Sequence, residues 1–139
     1  MRNLADFLVH LFSRDGDMDH VYLSTVHDRC LLCEEPIADS QTYQTYRVCP
    51  FCRFHYTLSA RERIDLLADK GSFKESHKYI SSVDPLSFSR KGTYRKLLAQ
   101  DQNRTGLTEA AVTGRCRLGG IETVLVVLDF GFMGGSMGS

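Results

Sequence analysis

The sequence predicts an α/β chain in two parts: a small four-cysteine ribbon near the N-terminus, then helices that lead into a β-hairpin. Three observations predict it. Cys30-Leu31-Leu32-Cys33 and Cys49-Pro50-Phe51-Cys52 repeat one C-x-x-C spacing, with fifteen residues between the two pairs. Ser59-Ala60-Arg61-Glu62 reads as a capping box ahead of a stretch with helical apolar spacing. From Ala110 the periodicity changes to strict alternation, broken by Gly119-Gly120 as a two-residue turn would break it.

Taken in order, residues 1–28 form an N-terminal helix and linker. Leu4, Phe7, Leu8, Leu11 and Phe12 fall on one helical stripe, the mark of a short helix that docks on something. Residues 13–28 are polar, contain Asp-Gly-Asp, and read as the linker.

The ribbon spans residues 29–58. Two short knuckles facing each other bring four soft donors to one point, as a tetrahedral zinc ion requires. The fifteen-residue separation lies in the zinc-ribbon range, against two disulfides or four unrelated buried cysteines. Residues 42–48, rich in Tyr, Thr and Val, are expected to form the ribbon's hairpin strand. The apolar content of this part is too small for a free-standing core. Metal binding must therefore supply much of its folding free energy, on the order of 10–16 kcal/mol for structural zinc. His55 follows Cys52 by three residues, but four cysteines already close a structural site, which leaves His55 a surface or supporting role.

After the capping box, Ile64, Leu66, Leu67 and Ala68 give the first helix an apolar side, with Gly71 as a stop. A second helix is expected from Thr93 to about Gln102, with Tyr94, Leu97 and Leu98 inward and Thr105-Gly106 ending it. In the first strand Val112, Gly114, Cys116 and Leu118 alternate with Thr113, Arg115 and Arg117, a half-buried pattern. Cys116 is thus a small core hydrophobe. The second strand, from Ile121 to Phe130, is so apolar in its later half that burial on both faces is expected. Asp129 at its end reads as a cap or hydrogen-bond partner for the glycine turn that follows.

Composition excludes several classes. The 17 basic residues balance the 17 acidic ones, so no global field draws the chain to nucleic acid or anionic lipid. The longest apolar run, Val124 to Leu128, is far too short to span a bilayer. Met1-Arg2-Asn3 leads into an amphipathic stretch with Asp6 and His10 instead of a secretory apolar block. A reducing cytoplasm is the expected compartment, where C-x-x-C pairs are metal ligands more often than disulfides.

Several runs together resemble a known family. They are Cys30-x-x-Cys33, Cys49-Pro50-x-Cys52-x-x-His55, and Leu58 to Asp69. Gly71-Ser72-Phe73, Asp84-Pro85-Leu86-x-Phe88, Tyr94, Thr105-Gly106 with Glu109-Ala110, and Asp129-Phe130-x-Phe132-Met133-Gly134-Gly135-Ser136-Met137-Gly138 complete the set. In this order they resemble the beta subunit of the carboxyltransferase component of bacterial-type acetyl-CoA carboxylase. The resemblance implies that residues 59–139 open a crotonase-like ββα superhelix, with the hairpin as its first. It also implies transfer of carboxylate from carboxybiotin, on a biotin carboxyl carrier protein, to acetyl-CoA. The implied partners are an alpha subunit in an α2β2 assembly and biotin carboxylase. Family members continue beyond Gly138 into a second Gly-Gly motif that places oxyanion donors. The segment is therefore expected to be part of a longer subunit and inactive on its own.

The implied substrate contacts are Gly134, Gly135 and Ser136. Such glycines either let backbone approach a ligand closely or make a tight turn after a buried strand, and the resemblance favours an active-site edge. Carboxyl transfer rests on preorganised backbone donors, so no side-chain nucleophile is expected. A second reading is a nucleic-acid-binding or protein-interaction module, since Tyr43, Tyr46, Phe51, Phe54 and Tyr56 alternate with Arg47, Arg53, Arg61 and Arg63. Residues 29–63, however, carry five arginines against four acids, a weak electrostatic footprint.

Overall fold

The computed structural model describes residues 26–85, 87 and 94–135. The helix expected over residues 4–12, the linker up to residue 25, and Ser136 fall outside them. The chain divides into two compact units between Leu58 and Ser59. No helix among the described residues is long and apolar enough to cross a membrane.

The first unit carries helix α1, Gln41–Tyr46. Residues 42–48 were expected to be a strand, and the structure corrects this. Ser40 caps the helix by accepting from the Tyr43 N–H, Tyr43 turns its ring into the core, and Arg47 closes the helix in the left-handed region. A local cap and one deeply buried ring override the β-preference of Thr and Tyr. Extended pairing in this unit is confined, among the described residues, to single bridges between Arg29 and Pro36 and between Val48 and His55. Its core is small: Cys30, Ile37, Tyr43, Cys49 and Tyr56.

The second unit is a three-stranded antiparallel sheet with helices. Its elements are α2 (Ala60–Leu67), β1 (Lys74–Ser76), α3 (Tyr94–Thr105), β2 (Ala111–Leu118) and β3 (Ile121–Leu128). The strand order is β1-β2-β3. Strands β2 and β3 pair from Ala111 with Leu128 to Leu118 with Ile121. Gly119 and Gly120, at φ 59° and 86°, make the turn between them. The Asp69 carboxylate accepts from both turn amides, at 2.8 and 2.7 Å, and so sets this register from outside the hairpin.

Helix α2 begins with the expected capping box, Ser59 and Glu62 each satisfying the other's backbone N–H. It packs Ala60 and Ile64 against Val112 and Val127. Leu66 and Leu67, expected inward, are exposed, because only one narrow face of the helix meets the sheet. Helix α3 buries Leu98, with Tyr94 partly covered, against Ala110 and Phe132. Leu97, also expected inward, is exposed.

Double-sided burial of β3 is likewise corrected. Val127 is buried, whereas Val124 and Val126, which point to the other face, are 69% and 59% exposed. The apolar content of β3 exceeds what the described residues cover on one face of the sheet.

Gly114 shows what the short strand β1 demands. A Cβ there would lie 2.6 Å from both the Lys74 carbonyl oxygen and the Phe73 ring. Because the first of these is backbone, the strand itself must move. Gly114→Ala is expected to destabilise the second unit by about 1–3 kcal/mol, the usual range for overpacking, read as a lower denaturation midpoint. Unchanged stability would mean that β1 does not hold Phe73 over β2.

Candidate metal centre and glycine turn

The two C-x-x-C knuckles are one structure used twice, offset by nineteen residues. In the first, the Cys30 N–H donates to the Glu35 carbonyl at 2.8 Å and the Glu34 N–H to the Cys30 carbonyl at 2.9 Å. In the second, the Cys49 N–H donates to the Phe54 carbonyl at 2.8 Å and the Arg53 N–H to the Cys49 carbonyl at 3.1 Å. Glu34 and Arg53 occupy the same strained position after each pair, at φ 62° and 63°. A left-handed residue with a side chain costs about 1–2 kcal/mol. It lets the chain double back so that the next amide reaches the sulfur: Glu35 N–H bonds Cys33, and Phe54 N–H bonds Cys52.

The four sulfurs converge. All lie within 4.8 Å of one another. Cys30 to Cys52 is 3.6 Å and Cys33 to Cys49 is 3.7 Å, each pair taking one sulfur from each knuckle. Metal–sulfur bonds of about 2.3 Å in a tetrahedron put sulfurs about 3.8 Å apart, so the donor set fits such an ion. These distances are far beyond the ~2.05 Å of a disulfide bond. Four cysteines so arranged can hold a metal ion. His55 is exposed on the bridge to Val48 and stands outside this cluster.

The surroundings favour negative charge at Cys30. Burial pushes the Cys30 thiol up. Hydrogen bonds from the Tyr56 hydroxyl, the Cys33 and Leu32 amides and the Cys52 thiol outweigh it and bring Cys30 down to about 6. Burial raises Cys52 to about 12, with the thiols of Cys49, Cys33 and Cys30 adding to it, and burial also raises Cys33. Like charges this close suppress further ionisation, and a cation at the centre removes that opposition.

Tyr56 is the supporting residue that sequence reasoning missed. Its hydroxyl accepts from the Leu31 N–H at 2.9 Å and donates to Cys30. Its ring packs edge-on against Tyr43 and Phe54, centroids 5.2 and 4.9 Å away. Nothing in the C-x-x-C spacing points to a tyrosine four residues past the last cysteine. Burying Tyr43 and Tyr56 also removes two rings from the aromatic–arginine pattern that suggested nucleic-acid stacking. Tyr46 and Phe51 stay exposed.

In the second unit, β3 runs into the turn that holds Gly134 and Gly135. Met133, Gly134 and Gly135 form a short left-handed stretch at φ 46°, 69° and 67°. Asp129, 6% exposed, accepts from the Gly131 N–H at 2.8 Å and from the Ala60 N–H at 2.7 Å. It is thus both the expected partner of the glycine turn and a cap for the first amide of α2. Phe132 and Met133 line an open cleft of about 1120 Å³, together with Arg61, Lys78, Tyr79 and Tyr94. Gly134 therefore directly follows two cleft-lining residues, with Gly135 next after it. Ser136 lies outside the described residues.

Comparison with known proteins adds names. No family model matches the chain. An acetyl-coenzyme A carboxylase carboxyl transferase subunit beta from Rubrobacter xylanophilus is 40% identical over 116 residues, 84% of this chain and 44% of that protein. The subunit of the same name from Methylacidiphilum infernorum is 41% identical over 111 residues, 80% of this chain and 40% of that protein. One from Prochlorococcus marinus is 39% identical, over 80% of this chain and 38% of its own length. The chain thus spans less than half the length of these curated relatives. A solved structure of transcarboxylase 12S, with methylmalonyl-coenzyme A and methylmalonic acid bound, is 23% identical with a TM-score of 0.42. It covers 68% of this chain and 14% of that one.

Tyr56→Phe keeps the ring and removes the hydroxyl from both Leu31 and Cys30. Loss of a group that orients a metal ligand typically costs 10–100-fold in affinity. The variant is expected to bind its metal at least about ten-fold more weakly in competition with a chromophoric chelator. Equal affinity would show that the hydroxyl serves packing alone.

Proposed function

We propose that this chain, a relative of the beta subunits of acetyl-coenzyme A carboxylase carboxyl transferase over most of its length, works as part of a carboxyltransferase subunit. The reaction moves carboxylate from carboxybiotin, on a separate carrier protein, to acetyl-CoA. The product is malonyl-CoA, in the first committed step of fatty acid synthesis. The observation that carries this reading is the 40% identity over 116 residues. A match of that length necessarily includes residues of both units.

In this reading residues 1–28 are a helix and linker, 29–58 a zinc ribbon, and 59–139 the opening of a crotonase-like domain with β2 and β3 as its first hairpin. The subunit pairs with an alpha subunit as α2β2, meets the biotin carboxyl carrier protein and biotin carboxylase, and acts in the cytoplasm. Cys30, Cys33, Cys49 and Cys52 hold one zinc. Four thiolates leave it no open position, so its role is structural.

Negative charge develops on the thioester oxygen as the acceptor carbon gives up its proton to the biotin that releases the carboxyl group, and it leaves that oxygen as the new carbon–carbon bond forms. Backbone donors aimed at that oxygen stabilise it. Gly134, Gly135 and Ser136 are assigned to this edge of the substrate site, since the two glycines leave room for backbone to approach the acyl group closely. The left-handed turn after β3 and its position beside the cleft support the assignment.

Two measurements test the proposal. Purified protein is expected to carry one zinc per chain, and Cys49→Ser or a strong chelator is expected to melt residues 29–58, because site formation and folding are coupled. Zinc below about a tenth of an equivalent in carefully prepared protein would remove the ribbon reading, given how tightly such sites hold metal. The full-length subunit assembled with an alpha partner is expected to transfer carboxylate between malonyl-CoA and biotin. An assembled complex without that turnover would overturn the functional assignment.

A further inference from the structure

The turn that carries Gly134 and Gly135 is held from a second direction, by helix α3. Asp101 Oδ2 accepts from the Met133 N–H at 2.8 Å. The other oxygen of the same carboxylate pairs with the Arg104 guanidinium, which also donates to the Gly131 carbonyl. One carboxylate and one guanidinium on α3 therefore grip the turn at two points.

Two features make this more than packing. Met133 has a side chain and yet sits at φ 46°, a conformation that persists only where the surroundings impose it. The Arg104 that pairs with Asp101 at i,i+3 within α3 also reaches the Gly131 carbonyl, so the ion pair is shared between the helix and the turn. Asp129 and the burial of Phe132, 1% exposed, fix the start of the turn. The Asp101 bond falls at Met133, immediately before Gly134, where the backbone turns left-handed.

We propose that Asp101 is a positioning residue for carboxyl transfer: it holds Met133 left-handed and thereby orients the backbone amide of Gly134, the Gly135 N–H being taken by the Phe132 carbonyl at 2.8 Å. This rests on the reading of that turn as an edge of the acyl-acceptor site. Asp101 itself touches no substrate. It acts through the peptide plane that its carboxylate anchors.

The test is kinetic, in the full-length subunit assembled with its alpha partner. A misaligned backbone donor typically costs ~10²–10³ in turnover, so Asp101→Ala should lower kcat at least about ten-fold. The KM for acetyl-CoA should stay within about two-fold, because the ground-state thioester depends less on that donor. Asp101→Asn keeps one oxygen for Met133 but sets amide N–H donors against Arg104 in place of the other, so it should recover part of the loss. A kcat for Asp101→Ala within two-fold of the parent would overturn the proposal, as would an Asn variant no better than Ala. If Asp101→Ala does not assemble, Asp101→Ser takes its place, its oxygen being too short to reach Met133. A parent complex without carboxyl transfer would instead overturn the functional reading. A crystal structure of the Ala or Ser variant then decides the positioning, and a Met133 still at positive φ would overturn it.

Discussion

Four sulfurs must meet at one point, and almost every detail of the smaller unit serves that requirement. Its buried core has five members, two of them cysteines. So small an apolar cluster cannot offset the conformational entropy of ordering its chain without a further source of free energy. The nineteen-residue repeat of hydrogen bonds, the paired left-handed residues Glu34 and Arg53, and the amides aimed at Cys33 and Cys52 all preform a cage of four sulfurs. Helix α1 adds the part that the knuckles lack. It sends Tyr43 into the centre, where its hydroxyl accepts from the His27 N–H and its ring supports Tyr56.

In the larger unit a single buried carboxylate plays the comparable organising part. Asp129 joins the end of β3, the first turn of α2 and the glycine turn by hydrogen bonds to Ala60 and Gly131. Ala60 lies 69 positions from Asp129, so that bond forms only once the sheet and α2 are in register. A charged group at 6% exposure would be costly without such partners. Asp69 does similar work at the opposite end of the hairpin, where both turn amides converge on it. Asp69 thereby pins β2 and β3 in a register that the glycine turn by itself would permit but not specify.

Much of this was legible in the chain. The C-x-x-C spacing named the four sulfurs, Ser59 and Glu62 named the start of α2, and Gly119-Gly120 named the hairpin turn. Asp129 was readable as a partner for the turn after it. In each case the signal is local: the interacting groups lie within a few residues, or are held by one spacing rule. The misreadings are equally instructive. Residues 42–48 looked extended by composition, yet Ser40 and the buried Tyr43 make them helical. Leu66, Leu67 and Leu97 fit an apolar stripe and remain exposed, because a stripe says that a face can be buried and not how wide a surface it meets. Strand β1, three residues long, carries too little pattern to be seen at all.

The sequence by itself determined the four-cysteine cluster, the helix caps, the hairpin and the likeness to carboxyltransferase beta subunits, because each is written in spacing or in residue order. Only the tertiary structure decided that Tyr56 steadies Cys30, that Gly114 makes room for Phe73, and that Asp101 holds Met133. These pairs are separated by 26, 41 and 32 positions. No periodicity links such positions, so their chemistry becomes visible only when the folded backbone brings donor to acceptor, or ring to glycine.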